Sequence, residues 1–207
     1  RRAALGLVQC LARLDLDFNL REGLALAGEG LPLASAPESQ AACLDFIVGR
    51  LRSYLMELPG GLRYDVVDAV LTAQQANPAG VMRAVTGLSR WVARADWSAI
   101  LPTYARCVRI TRDQAQRFEI QPGAFVEAAE RDLYQALLAA QAAARRAGSV
   151  EDFFAAFMPM MPTINRFFES VLVMAEEPAV RANRLGLLQE IAALADGVAD
   201  FSKLEGF

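Results

Sequence analysis

Arginine and aromatic side chains alternate through the middle of this 207-residue chain. Cations neutralise phosphates, and planar groups stack on bases that are splayed out of an RNA loop. Arginine serves both purposes, because its planar fork bonds a phosphate through two N–H groups and its face stacks on a base. This combination predicts a surface that binds single-stranded RNA. Its members are Arg83, Arg90, Arg94, Trp97, Tyr104, Arg106, Arg109 and Arg112.

The same residues have a second interpretation. The spacing of seven and four residues places Arg83, Arg90 and Arg94 on one face of a predicted helix. Exposed helix faces are ordinarily charged, however, and an aromatic residue at helical spacing is more often part of a core. Both interpretations stay open at the level of the sequence.

Charge is unevenly distributed along the chain, whose net charge is −3. Residues 43–118 carry ten arginines against six acidic side chains, whereas residues 119–207 carry seven basic against thirteen acidic side chains. Such an asymmetry allows a protein that is acidic overall to hold a local anion-binding face. It places the predicted RNA surface in the middle of the chain and not in its acidic second half.

The residue types that are absent or rare exclude several classes of site. The chain has no histidine, its only lysine is Lys203, and Cys10, Cys43 and Cys107 are too far apart for a zinc site. Histidine-based triads, P-loops and Schiff-base lysines are therefore excluded. No apolar run approaches the length of a membrane span, so we expect no membrane partner. We expect no catalytic residue, no bound metal and no cofactor in this chain.

One acidic pair invites a metal or acid–base interpretation. Asp65 and Asp68 are three residues apart on a predicted helix, but no third ligand is evident and Arg63 is close by in sequence. We interpret them as surface acids that pair with arginine.

Helical periodicity runs through the whole chain, and no stretch alternates with period two for long enough to require a sheet. The sequence therefore predicts an all-α fold. The predicted helices lie within residues 3–28, from a Ser35–Glu38 capping box to Leu58, over Tyr64–Gln75, from an Asn77 cap through Val92, after Pro102 to Arg112, from Pro122 to Arg146, from Ser149 to Pro159, and for about six turns from Pro178.

Two motif patches give this helical chain a family resemblance. The first is Met174–Glu177 followed by Arg181–Leu185 and then Val198–Phe201. This ordered set resembles the carboxyl terminus of the beta subunit, or of the beta region of a fused alpha-beta chain, of bacterial-type glycyl-tRNA synthetase. The second patch, Leu51–Leu55 followed by Arg63–Leu71, is similar to the start of that subunit's DALR-type anticodon-binding domain, an all-helical domain.

The resemblance also adds and removes candidate residues. Arg181 and Arg184 match the family pattern and join the predicted tRNA-binding set. Cys107 and Ile110 depart from it, because the family usually has a basic residue and an asparagine there, and Asn165 stands where an aspartate is usual. Carry-over of individual contacts is therefore weakest between Tyr104 and Thr111.

The resemblance implies a domain organisation and a function. Residues 1–36 would be the last helices of a preceding helical domain plus a linker, and residues 37–207 the anticodon-binding domain. That domain would bind glycine tRNA, whose anticodons end in two cytosines, as part of glycine–tRNA ligase. The active site, with ATP and Mg²⁺, would lie in the alpha subunit or region, and the enzyme would be cytoplasmic. The missing initiator Met favours an excised piece of a longer chain.

A helical protein-interaction scaffold is the alternative, with its arginine-rich face meeting an acidic partner. An independent small enzyme is disfavoured by the missing histidine, internal lysine and metal ligands.

Overall fold

The computed structural model describes residues 1–32 and 36–207, and all regular structure in these ranges is helical. This confirms the predicted all-α fold. The chain forms two compact units. Unit 1 comprises residues 1–92, 147–150 and 197–205, and unit 2 comprises residues 93–146, 151–196 and 206–207.

Unit 1 is built on a central helix that is apolar on nearly every side. Its helices are α1 (Arg2–Arg13), α2 (Leu20–Glu29), α3 (Pro37–Met56), α4 (Tyr64–Gln74) and α5 (Pro78–Val92). Val66, Val67 and Val70 of α4 have no exposed surface, as the apolar sequence of this helix predicts. The predicted N-cap of α5 is also confirmed, because the Asn77 side chain accepts a hydrogen bond from the backbone N–H of Gly80 at 3.2 Å.

The predicted domain boundary at residue 36 falls inside unit 1. α1 packs on α3 and α5 and buries Val8, Leu11 and Ala12. The proposed cap Ser35 lies outside the described residues, and α3 begins at Pro37 after Ala36. The boundary stays a prediction, but the packing of α1 is a reason to expect that α3–α5 lose stability without it.

The end of the chain returns to α4. The backbone N–H of Asp200 donates to the carbonyl of Ala69 at 2.8 Å, and the Gln74 amide donates to the carbonyl of Val198 at 2.7 Å. The backbone N–H of Glu205 donates to the buried carboxylate of Asp65 at 2.9 Å. The segment 197–205 is therefore an integral part of unit 1.

Unit 2 is organised around an aromatic core. Its helices are α6 (Trp97–Thr111), α7 (Ala128–Ala142), α8 (Val150–Phe157, of which Val150 belongs to unit 1), α9 (Met161–Ser170) and α10 (Pro178–Ala193). Phe153, Phe157 and Phe167 have no exposed surface. α6 packs on α10, and α7 packs on α9.

Several predicted helix bounds in unit 2 were wrong. α6 begins at Trp97 and contains Pro102, because an interior proline removes only one backbone donor of the helix ladder. Pro122 starts only a short 3₁₀ turn, and α7 begins at Ala128, where Glu127 and Glu130 form a reciprocal capping box. α10 ends at Ala193 and is shorter than the predicted six turns.

Candidate nucleic-acid interface

Helix α6 separates a buried face from an exposed basic face. Ile100, Leu101 and Ala105 lie in the core of unit 2, whereas Arg106, Arg109 and Arg112 are exposed. Steps of three residues rotate each arginine by roughly 60° from the one before it, so the three guanidinium groups fall on one side of the helix. We call these three residues the α6 arginines.

Aromatic rings and not carboxylates accompany the α6 arginines. The guanidinium carbon of Arg106 lies 4.2 Å from the centroid of the Phe168 ring, and that of Arg109 lies 5.5 Å from the centroid of the Phe207 ring. Throughout residues 1–32 and 36–207, none of the three has a salt-bridge partner. A guanidinium that stacks on a ring keeps its in-plane N–H groups available for another acceptor. The α6 arginines therefore keep both their charge and their donors for a ligand.

Helix α5 is too short to carry all three of the arginines that were predicted on it. α5 ends at Val92, so Arg94 lies beyond it, and Arg94 belongs to unit 2 whereas Arg83 and Arg90 belong to unit 1. Arg83 hydrogen-bonds the carboxylates of Asp15 and Asp17.

The acids around Arg83 and Arg94 neutralise their charges locally. Hydrogen bonds from Asn77 and then from Arg83 lower the pKa of Asp17. Arg94 forms a two-pronged ion pair with Asp96, with N–O distances of 2.8 and 2.7 Å. Arg90 is exposed. Two of the three predicted cations in this group are thus already engaged by acids.

Two other predicted contact residues are buried and have structural partners. The hydroxyl of Tyr104 donates to the carbonyl of Ala192 at 2.8 Å, and its ring meets those of Phe153 and Phe157 edge-on. Nε of Arg184 donates to the Glu130 carboxylate at 2.6 Å. Because neither side chain faces solvent, we leave Tyr104 and Arg184 out of the proposed RNA surface.

Trp97 and Arg181 are half-buried. The Trp97 ring packs edge-on against Phe154, with centroids 5.8 Å apart. Arg181 donates to the carbonyl of Ala175 at 2.9 Å, which fixes the approach to α10. Packing within unit 2 accounts for both side chains, so the structure gives no separate reason to place them at an RNA contact.

The sequence interpretation of Asp65 as a surface acid was wrong. Its carboxylate is 1% exposed and accepts hydrogen bonds from Arg63 and from the backbone N–H groups of Val66 and Glu205. The position of Asp65 in the first turn of a helix is a sequence signal for a local role at the helix N-terminus. No local pattern predicts its hydrogen bond with Glu205, which is 140 residues away. Asp68, by contrast, forms the expected exposed pair with Arg52, at 2.7 Å.

Sequence reasoning also missed Phe168 and Phe207 as partners of the α6 arginines. Phe207 is the last residue of the sequence, and nothing in its local pattern points to a contact 98 positions earlier.

Residues 1–32 and 36–207 carry neither a metal-binding cluster nor a membrane-spanning helix. No group of three or more Cys, Asp and Glu residues there is arranged to hold a metal ion. None of the helices in these ranges is both long and apolar enough to cross a membrane.

Comparison with known proteins points to one enzyme family. Residues 100–199 match the family model of the DALR anticodon binding domain, a range that includes the α6 arginines. The chain is 36% identical over 98% of its length to the glycine–tRNA ligase beta subunit of Desulforudis audaxviator, and 32% identical over 99% of its length to that of Myxococcus xanthus. It is also 32% identical, over its whole length, to the chloroplastic/mitochondrial glycine–tRNA ligase 2 of Arabidopsis thaliana.

These matches cover only part of each relative. The chain spans 30% of the length of the Desulforudis protein, 31% of the Myxococcus protein and 19% of the Arabidopsis protein. Residues 100–199 are therefore similar to the DALR anticodon binding domain, and almost the whole chain is similar to part of the glycine–tRNA ligase beta subunit.

Proposed function

We propose that this chain is the tRNA anticodon-binding part of a glycine–tRNA ligase. The observation that carries the proposal is the position of the α6 arginines. They lie inside the region that matches the anticodon binding family, they are exposed, and no acid within the described ranges neutralises them.

The arrangement on α6 suits an unpaired RNA loop. Each arginine can bond a phosphate through two N–H groups, and the guanidinium groups of Arg106 and Arg109 lie over the half-buried rings of Phe168 and Phe207. Three phosphate contacts to a single strand give a slope of roughly −2 for log affinity against log salt. Charge supplies affinity in this scheme, while recognition of particular bases requires other groups.

The test is titration of the chain with a glycine anticodon stem-loop at several salt concentrations. A second stem-loop, in which both anticodon cytosines are replaced, serves as the matched control. We expect tighter binding of the first RNA and a slope of roughly −2. Equal affinity for the two RNAs would overturn the anticodon assignment.

Further properties follow from the family assignment and belong to the same proposal. We propose that the alpha subunit or region of the ligase is a partner, and that ATP-dependent attachment of glycine takes place there. By resemblance, we also propose that ATP and Mg²⁺ bind to the ligase outside this chain. By resemblance, we propose a cytoplasmic enzyme.

A second candidate, a protein-interaction scaffold, is favoured by one feature of unit 1. Leu14, Leu26 and Leu31 are 66%, 67% and 58% exposed, and exposed apolar side chains that form one contiguous patch mark surfaces that another protein covers. We expect a Leu14→Glu, Leu26→Glu variant to bind the RNA normally. Equal affinity for the glycine stem-loop and for an unrelated RNA stem-loop would favour the scaffold, with the RNA acting only as a generic polyanion.

A further inference from the structure

A cleft of about 400 Å³ lies within unit 2. Its walls are the second half of α6, the segment 114–117 and the end of α10 with the residues that follow it. Its volume is in the range of pockets that take small planar ligands. Two of the α6 arginines, Arg109 and Arg112, directly follow the lining residues Val108 and Thr111, so the cleft adjoins the proposed phosphate contacts.

Part of the polar lining is used to hold the cleft in shape. The Gln189 amide accepts from the backbone N–H of Phe118 and donates to the carbonyl of Gln116, both at 2.9 Å. Arg117 pairs with Glu190 at 3.1 Å, and the Tyr104 hydroxyl is bound to Ala192. The wall formed by residues 114–117 is thereby fixed against α10 before any ligand binds.

The rest of the polar lining is free. Among the parts of the chain that the structure describes, the side-chain amide of Gln114 and the carboxylate of Asp196 have no hydrogen-bond partner, whereas the backbone N–H of Gln114 donates to Thr111. The lining also includes the small apolar side chains of Val108, Ala115 and Ala193. A carboxylate, an amide and an apolar surface in one cleft match the needs of a heterocycle that stacks on one face and hydrogen-bonds at its edge.

The carboxylate of Asp196 determines which kind of heterocycle the cleft can bind. A carboxylate only accepts hydrogen bonds, and it repels the phosphates that the neighbouring arginines attract. It stabilises an RNA complex only where the RNA presents a donor, such as the amino group of cytosine. Uracil presents a carbonyl oxygen at the same position, and the partial negative charge of that oxygen would be repelled by the carboxylate.

We propose that this cleft binds one unstacked nucleobase that carries an exocyclic amino group, a proposal that rests on the anticodon-binding function above. The carboxylate of Asp196 accepts from the amino group, and the Gln114 amide donates to the neighbouring ring acceptor. The α6 arginines hold the flanking phosphates. The cleft therefore supplies the base discrimination that the arginines cannot supply.

The test uses the 207-residue chain and glycine anticodon stem-loops in which each anticodon cytosine is replaced, one at a time, by uracil. This replacement changes one amino group to a carbonyl oxygen. At one of the two positions we expect uracil to weaken binding by about tenfold or more. Asp196→Asn should remove or reverse that preference, because its amide can donate to the uracil carbonyl.

Asp113→Asn is the matched control, since it removes one exposed negative charge, just after the end of α6, from a residue outside the cleft lining. It should strengthen the binding of both RNAs equally and leave their ratio unchanged. If Asp196→Asn keeps the wild-type ratio, the cleft assignment is wrong while the anticodon function stands. If the wild type does not distinguish the RNAs at either position, both proposals fail.

Discussion

Arg83 on α5 and Arg94 just after it look like the arginines of α6 in the sequence but have opposite surroundings in the structure. Arg83 and Arg94 are held by Asp15, Asp17 and Asp96, whereas Arg106 and Arg109 stack on rings. An acid-bound guanidinium must exchange one anion for another when it meets a phosphate, so the exchange yields little net free energy. A stacked guanidinium loses no such partner. The number of arginines is therefore a poor measure of an RNA surface, and their existing partners are a better one.

The largest expected effect concerns an arginine of the acid-bound kind. Arg184 and Glu130 form a buried ion pair in which Glu130 also caps α7 through the backbone N–H groups of Val126 and Glu127. Arg184→Ala leaves the carboxylate buried with its charge uncompensated. We expect a loss of about 3–5 kcal/mol in the free energy of unfolding, measured by urea denaturation.

Arg181→Ala provides the control for this variant, because it removes a half-buried arginine of the same helix that has one carbonyl partner. We expect a loss of about 1 kcal/mol. Equal losses for the two variants would mean that the Arg184–Glu130 pair has no special role in stability.

The next effect tests the α6 arginines directly. Replacing Arg106, Arg109 and Arg112 together by alanine should weaken the glycine stem-loop complex at least tenfold at physiological salt. It should also make the salt slope shallower by about 0.7 for each phosphate that the variant no longer binds. Thermal stability should change little, because all three side chains are exposed. Unchanged binding would show that the RNA surface does not lie on α6.

Unit 1 should show a pH dependence that comes from Asp65. Burial raises the pKa of its carboxyl, but the hydrogen bond from Arg63, the N–H of Glu205, the charge of Arg63 and the N–H of Val66 together lower it below 3.8. The stability that the ionised form contributes is thus present above about pH 3.8 and is lost as pH falls through the lowered pKa.

Asp65→Asn should lower the free energy of unfolding by roughly 1–2 kcal/mol at pH 7 and reduce its dependence on pH below 4. The measurement is urea denaturation at several pH values between 3 and 7. Asp68→Asn, in the exposed pair, is the control and should leave the acid dependence nearly unchanged. An equal acid dependence in wild type and Asp65→Asn would show that other groups control it.

The smallest effect concerns the acids around Arg83. Asp15→Asn with Asp17→Asn removes two exposed ion pairs, so we expect a loss of about 1 kcal/mol or less in unfolding experiments. The RNA salt slope should stay as in the wild type. A steeper slope would indicate that the freed Arg83 contacts phosphate. The difference between Arg83 and the α6 arginines would then be due only to the acids that pair with Arg83.

Local patterns in the sequence predicted much of the fold. The start of α4 at Tyr64 and its end at Gln74, one residue short of the prediction, follow from its apolar run, and the cap at Asn77 follows from the residue type and the proline after it. The end of α10 was missed because small and apolar residues continue past it, while the chain turns at Gly197 with a φ of +71°.

The partners of the arginines could not be predicted in the same way. Asp15 is 68 residues from Arg83, and Glu130 is 54 residues from Arg184. Such contacts depend on tertiary packing, which helical periodicity does not encode. The sequence could therefore propose which residues have the right chemistry for RNA, but not which of them the fold leaves free.

The return of residues 197–205 to α4 has a consequence for how this protein is made. A ribosome delivers the chain from its amino end, so α1–α5 emerge long before the residues that hydrogen-bond Asp65, Ala69 and Gln74. Until then the Asp65 carboxylate lacks one of its hydrogen-bond donors, and unit 1 remains incompletely folded while unit 2 is synthesised. A nascent chain stalled before residue 197 should therefore be more sensitive to protease in α4 than the released protein.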